Sequence, residues 1–195
     1  MTRRIRPQVL SAIILLCCFT GFVAGFAFLW DLTRHPERHP SIKARLAGLE
    51  YLTNAGMTLQ RGGRDCGPVA LYRVFQLRGM GASLAELDRQ MMDAPGGTTV
   101  ARIKEIAERH GLIARARRIK EDELREVPLP SIALWREHHY LVIESIGPGD
   151  RMIVFDPAIG RCATTITRFM KQTSGAMLLL QAPVREGLAK RGSFQ

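Results

Sequence analysis

The sequence predicts an α+β protein: helices in the first half, an antiparallel sheet in the second, and one long apolar helix ahead of both. Three observations predict it. Between Ser41 and Gly111 apolar residues recur at helical spacing, bounded by capping residues and glycine stops. From Ser131 onward the period changes to two, with turn signals between the runs. The 22 residues from Val9 to Trp30 carry no charge.

The apolar run is preceded by Arg3, Arg4 and Arg6 and closed by Asp31. A helix of that length spans a hydrocarbon core of ~30 Å, and Trp30 suits the interface. Residues 1–30 are expected to be a basic segment and a single transmembrane helix, with membrane contact through 9–30. The leading arginines favour a cytoplasmic N-terminus, which puts the rest of the chain on the extracytoplasmic, periplasmic side. The alternative is a cleaved signal peptide and a secreted product, with Gly25 and Ala27 near the cut. The run exceeds the usual apolar length of a signal peptide, which favours the anchor.

Residues 31–56 read as a linker, with Pro36 and Pro40, and a short amphipathic helix from Ser41 to about Tyr51. A folded domain over 57–184 follows, and a polar tail over 185–195 ends the chain. The domain's first helix runs roughly 66–78: Asp65 is a good N-cap, Pro68 fits a first turn, and Gly79 and Gly81 stop it. Ser83 caps a helix to Met92, with Glu86 completing a capping box. After Pro95-Gly96-Gly97, Thr98 or Thr99 caps a helix that carries Val100, Ile103, Ile106 and Ala107 and ends at Gly111. A strand at Leu112–Ala116 and a helical turn at Glu121–Glu126 come next. Strands then follow at Ser131–Leu134, His139–Ile146, Arg151–Phe155 and Met177–Gln181, with Gly147-Pro148-Gly149-Asp150 as a hairpin connection.

Net charge is +10 over 195 residues, and half of it lies before residue 50. From there on twenty-one bases are interspersed with sixteen acids, so charge does not mark a nucleic-acid binder. Four cysteines are present, Cys17, Cys18, Cys66 and Cys162, without a C-x-x-C pair, so neither a zinc site nor a dithiol motif is supported. A Cys66–Cys162 disulfide is not decided by the sequence.

Cys66 opens its helix, and a helix N-terminus carries roughly half a positive charge, which favours a thiolate. Gln60, on the Gly-rich loop before it, is placed to join the Cys66 backbone N–H as an oxyanion donor. A buried structural cysteine is the competing reading. A nucleophilic cysteine needs a base and something to orient that base. Of five histidines, His139 opens a strand and shares a face with Leu141 and Ile143. If Ile146–Gly149 is the loop, Ser145 pairs with Asp150, Ile143 with Met152 and Leu141 with Val154. His139 then lies opposite Asp156, within hydrogen-bonding reach. Asp156-Pro157 also reads as a plain turn at a strand end.

These pieces carry a resemblance that runs from about Leu59 to Leu180. In order they are Gln60 with Asp65-Cys66-Gly67; Gly97-Thr98 and the helix to Gly111; Leu129–Trp135; His139 with Tyr-Leu-Val-Ile; Phe155-Asp156-Pro157-Ala158-x-Gly160; and Phe169, Ser174-Gly175 and Met177–Leu180. The chain resembles the bacteriocin-processing peptidases, papain-like cysteine peptidases that cut double-glycine leader peptides. The resemblance implies a papain-like fold with Cys66 as nucleophile, His139 as base, Asp156 orienting it and Gln60 in the oxyanion hole. It implies a peptide or protein substrate, with a Gly-Gly motif before the cut, and separate export machinery as a partner. Neither cofactor nor metal is implied. Two alternatives keep the fold: a non-catalytic peptide-docking domain of a secretion system, and an acyltransferase or amidase using the same triad.

Overall fold

The computed structural model describes residues 7–35, 39–91, 98–136 and 138–183, with side chains described within the first stretch for 16–31 and 33–35. The element order is α1 (Pro7–Arg34), α2 (Pro40–Leu46), β1 (Glu50–Thr53), α3 (Cys66–Leu77), α4 (Leu84–Met91), α5 (Val100–Arg109), β2 (Ile113–Arg118), β3 (Ser131–Trp135), β4 (His139–Ile146), β5 (Arg151–Asp156), β6 (Gly160–Thr165), α6 (Ile166–Met170) and β7 (Thr173–Gln181). The helices-then-strands order expected from the periodicity is the order observed. The Pro95-Gly96-Gly97 break and the 185–195 tail lie outside the described residues.

The strands form one seven-stranded antiparallel sheet in the order β1-β6-β5-β4-β3-β7-β2. Its two faces follow from strand alternation. Tyr140 and Val142 of β4, with Leu178 and Leu180 of β7, face α3, α4 and α5, where Leu71, Phe75, Leu87, Ile103 and Ile106 are fully buried. Leu141 and Ile143, with Met177 and Leu179, face the opposite way and pack under Ala44 of α2, Leu49, and Ile166 and Phe169 of α6. Each such Leu, Ile or Phe side chain contributes about 1.5–3 kcal/mol on full burial, so the sheet is stabilised from both sides.

Several expectations change. The short helix ends at Leu46, and residues 50–53, read as helix end and linker, form edge strand β1, which pairs with β6 through Tyr51↔Cys162 and Thr53↔Arg161. Neither β1 nor β6 was expected, because Glu50–Thr53 is too short and Gly160–Thr165 too poor in large apolar residues to show a period. Asp65 occupies the N-cap position of α3 without capping it. Its carboxylate turns back to accept from Arg61 N at 2.7 Å and Gly62 N at 3.1 Å, closing the loop instead. Glu86 forms no capping box; it bonds forward to Arg89 and to Gln90 at 2.6 Å. Thr99 does cap α5, its hydroxyl accepting from Arg102 N at 3.2 Å.

The transmembrane expectation over 9–30 is not shown by the structure. The segment is helical, but among the described residues no helix is long and apolar enough to cross a membrane. Phe19, Phe22, Phe26 and Leu29 on the segment are exposed.

One buried carboxylate joins the helical layer to the sheet. Glu144 of β4 has a side chain 4% exposed and accepts from Arg73 Nε of α3 at 2.8 Å and from Arg161 Nε of β6 at 2.7 Å. The Arg73 guanidinium also lies 5.5 Å from the Phe155 ring centroid. Glu144→Ala strands Arg73 in a low-dielectric seam, and is expected to lower unfolding free energy in urea by about 3 kcal/mol. At Gly67 an added Cβ would come within 2.9 Å of Thr98 Cβ and 3.3 Å of Ile103 Cδ1. Overpacking costs about 1–3 kcal/mol against at most about 1 kcal/mol gained in helix propensity, so Gly67→Ala is expected to lower the thermal midpoint.

Candidate active site

Cys66 is the first residue of α3 and is 5% exposed, with the helix behind it packed on β4. The loop before it, Gln60 to Asp65, is shaped by the Asp65 carboxylate and held from below by a bond from Gln60 N to Pro157 O at 2.8 Å. The Gln60 side chain donates from Nε2 to Gly62 O at 2.8 Å, while its Oε1 is buried with no partner among the described residues. One amide hydrogen is thus engaged by the loop itself, and any oxyanion-binding role falls to the other.

His139, the first residue of β4, is brought to Cys66 and Asp156 together. Its Nε2 lies 2.8 Å from Asp156 Oδ1, and Cys66 lies near enough to the ring to act on its charge. With Nε2 committed to Asp156, Nδ1 is the nitrogen left for the sulfur. Asp156 is 3% exposed, and the same Oδ1 accepts from Ala158 N at 2.8 Å. Burial pulls the imidazole's pKa down, but hydrogen bonds and charge from Asp156 and Cys66 outweigh it and push His139 up to about 9. A ring with that value is charged at neutral pH, and its Nε2 faces the Asp156 carboxylate.

The route to this contact differs from the hairpin expected. Near the turn the register is Ile146↔Met152 and Ser145↔Ile153, and a bulge at Glu144 shifts it to Ile143↔Val154 and Val142↔Phe155. The three-residue turn Pro148–Asp150, with Asp150 in the left-handed region at φ 64°, accounts for the offset. Extended one step, this register sets Asp156 level with Leu141, so the carboxylate reaches His139 along a diagonal rather than straight across.

Neighbouring groups frame the site. Tyr140 donates from its hydroxyl to Thr98 O at 2.9 Å, and burial together with the charge of Cys66 pushes it up to about 12. Cys66 and Cys162 are free and both buried, so no disulfide joins them. Burial first and the Asp156 charge second push Cys162 up to about 12, which leaves it a protonated, inert thiol. Among the described residues no group of three or more His, Cys, Asp or Glu side chains is arranged to hold a metal ion. Sequence reasoning missed the Ala158 N–H, a backbone group without any residue signature, and Glu144, whose two partners lie far away in the chain.

Known proteins share this arrangement of elements. The model of the peptidase C39 family matches residues 54–184. The chain is 32% identical over 97 residues to the probable microcin-H47 secretion/processing ATP-binding protein MchF of Escherichia coli, covering 50% of this chain and 14% of that protein. The chain thus spans about one seventh of that protein's length. It is 30% identical over 132 residues to an uncharacterized protein of Methanothermobacter marburgensis, covering 67% of this chain and 92% of that one. Among solved structures, the peptidase domain of Streptococcus ComA superposes with a TM-score of 0.58 at 25% identity, covering 65% of this chain and 97% of that domain. A double glycine motif protease from an AMS/PCAT transporter, in complex with a leader peptide, shares the fold with a TM-score of 0.59 at 20% identity, over 70% of this chain and 93% of that one. The family match and the common helices-then-sheet architecture agree, and the chain belongs to the peptidase C39 family.

Proposed function

We propose that this protein is a papain-like cysteine endopeptidase that cleaves peptides after a double-glycine motif, with Cys66, His139 and Asp156 as its triad. The observation that carries the reading is His139 at 2.8 Å from the buried Asp156, with Cys66 near its ring at the start of α3. The Cys66 thiolate attacks the scissile carbonyl, and the oxyanion is held by the Cys66 backbone N–H and the second hydrogen of Gln60 Nε2. His139 gives its proton to the leaving amine as the C–N bond breaks. It then takes a proton from the water that attacks the thioester, which frees the carboxylate product and regenerates the thiolate–imidazolium pair. Asp156 holds the ring in place and stabilises its charged form without itself taking the proton.

The substrate class is supported by relatives named as secretion/processing proteins and by a fold relative solved with a leader peptide. Glycines before the cut let the peptide backbone approach the sulfur closely. Extracytoplasmic placement belongs to the same proposal. It is supported by Arg3, Arg4 and Arg6 ahead of the charge-free run and by the exposed aromatic side chains of α1. Protease added to spheroplasts would digest the domain if so, and spare it if it faces the cytoplasm.

The direct test incubates the full chain with a library of Gly-Gly-containing peptides and reads products by mass spectrometry. Cleavage is expected for the wild type and a loss of at least about 10³-fold for Cys66→Ala and for His139→Ala, since the triad acts as a unit. Binding without cleavage by the wild type would turn the reading toward a docking domain. With an amine supplied beside water, acids are the expected main product; amine adducts in excess of acids would indicate acyl transfer. The pH profile follows from His139. The charged ring is present below its raised pKa, so kcat/KM is expected to hold through neutrality and fall as pH rises through about 9. Asp156→Asn removes a carboxylate charge that raises this value, so its alkaline limb is expected at lower pH.

A further inference from the structure

Residues 40–53 precede the family match, which begins at 54, yet they are built into the fold beside the site. Lys43 of α2 donates from Nζ to Ala158 O at 3.2 Å. Ala44, directly after it, is fully buried, and with Leu49 it packs in the same cluster as Ile159 and Cys162. β1 adds an edge to β6 immediately after the turn that carries Asp156. The approach is close at Gly160, where φ is +113° and a Cβ would stand 2.7 Å from Thr53 O and 2.6 Å from Asn54 Cβ.

The turn Asp156–Ile159 is therefore gripped on several sides. Ile159 N donates to Asp156 O at 3.0 Å within the turn, Gln60 N donates to Pro157 O from the loop before Cys66, and Lys43 holds the next carbonyl, that of Ala158. The residue whose carbonyl Lys43 holds is the one whose N–H binds Asp156 Oδ1. A shift of Ala158 is a shift of that donor, and with it of the carboxylate facing His139. Lysine suits this position, since a charged head makes a stronger bond to a carbonyl than a neutral donor would.

We propose that residues 40–53 are a brace for the Asp156 turn and that Lys43 is a positioning residue for the triad, acting through Ala158. The proposal rests on the peptidase reading above. By fixing the turn it keeps the Asp156 carboxylate against the His139 imidazolium, and so keeps the Cys66 thiolate paired.

The test measures alkylation of Cys66 by iodoacetamide near neutral pH in the full folded chain, site by site by peptide mapping, for the wild type, Lys43→Met and Lys43→Arg. Buried Cys162 in the same chain reports on folding. Wild-type Cys66 is expected to react faster than the same cysteine in urea-unfolded chain. Lys43→Met is expected to slow it about 5-fold, the worth of one hydrogen bond, with Cys162 still protected. Lys43→Arg, which keeps a charged donor, is expected to restore it to within about twofold. Once a cleaved peptide is in hand, the loss should fall on kcat and leave KM in place, because Lys43 lies behind the triad. An unchanged Cys66 rate in Lys43→Met overturns the brace while leaving the peptidase reading intact. Labelling of Cys162 in that variant also overturns it, by assigning Lys43 to folding alone. A wild-type Cys66 no faster than the unfolded thiol defeats the peptidase reading itself, and the brace with it.

Discussion

The peptide group between Pro157 and Ala158 is the point on which the site depends. Its carbonyl accepts from Gln60 N, and its N–H donates to the Asp156 oxygen that also faces His139 Nε2. One rigid planar unit thus joins the loop before Cys66 to the orienting carboxylate. Hydrogen bonds in such a chain polarise one another, and in a buried setting they are stronger than the same bonds in water. The arrangement also solves a desolvation problem. A carboxylate as buried as Asp156 would be costly unless its lone pairs were satisfied, and the turn supplies one donor while the histidine supplies another.

Around that point the fold works as two layers that must not slide. Cys66 belongs to α3 and His139 to β4, elements far apart in the chain, so their contact is only as firm as the seam between helices and sheet. Apolar packing of Leu71, Phe75 and Val142 supplies most of the adhesion, but it is non-directional. Glu144, bonded to Arg73 from above and Arg161 from the side, adds direction. It sits where the β4 register shifts, and a bulge there re-aims the strand end that carries His139.

Two cysteines in one domain illustrate how environment separates chemistry from packing. Cys66 stands at a helix start beside an imidazolium, whereas Cys162 lies within β6 under α2 and β1, with its Sγ 3.7 Å from Gly160 O. The same burial that keeps Cys162 a thiol shields the underside of the Asp156 turn. Ala44 and Leu49, the inert Cys162, and Ile159 of the Asp156 turn thus share one hydrophobic cluster.

Much of this protein was legible without coordinates. The start of α3 at Cys66, a threonine cap on α5 at Thr98 or Thr99, and the alternation of β4 follow from local rules: turn residues, capping chemistry and strict periodicity act over a few neighbours. What escaped was non-local. β1 and β6 exist because they pair with each other and with β5, not because Glu50–Thr53 or Gly160–Thr165 favours a strand alone. The His139–Asp156 contact was anticipated, but along a register that the turn at Pro148–Asp150 and the Glu144 bulge displaced; only the folded hairpin decides which diagonal closes. Asp65 and Gln60 were placed correctly in the chain, and their side chains turned to the loop's own amides and carbonyls because those partners were nearest once it folded. The sequence by itself determined the pairing of His139 with Asp156, since their types and local settings are written in order. The tertiary structure decided how they meet, because strand register, bulges and bracing contacts are settled by pairings between segments that no local pattern contains.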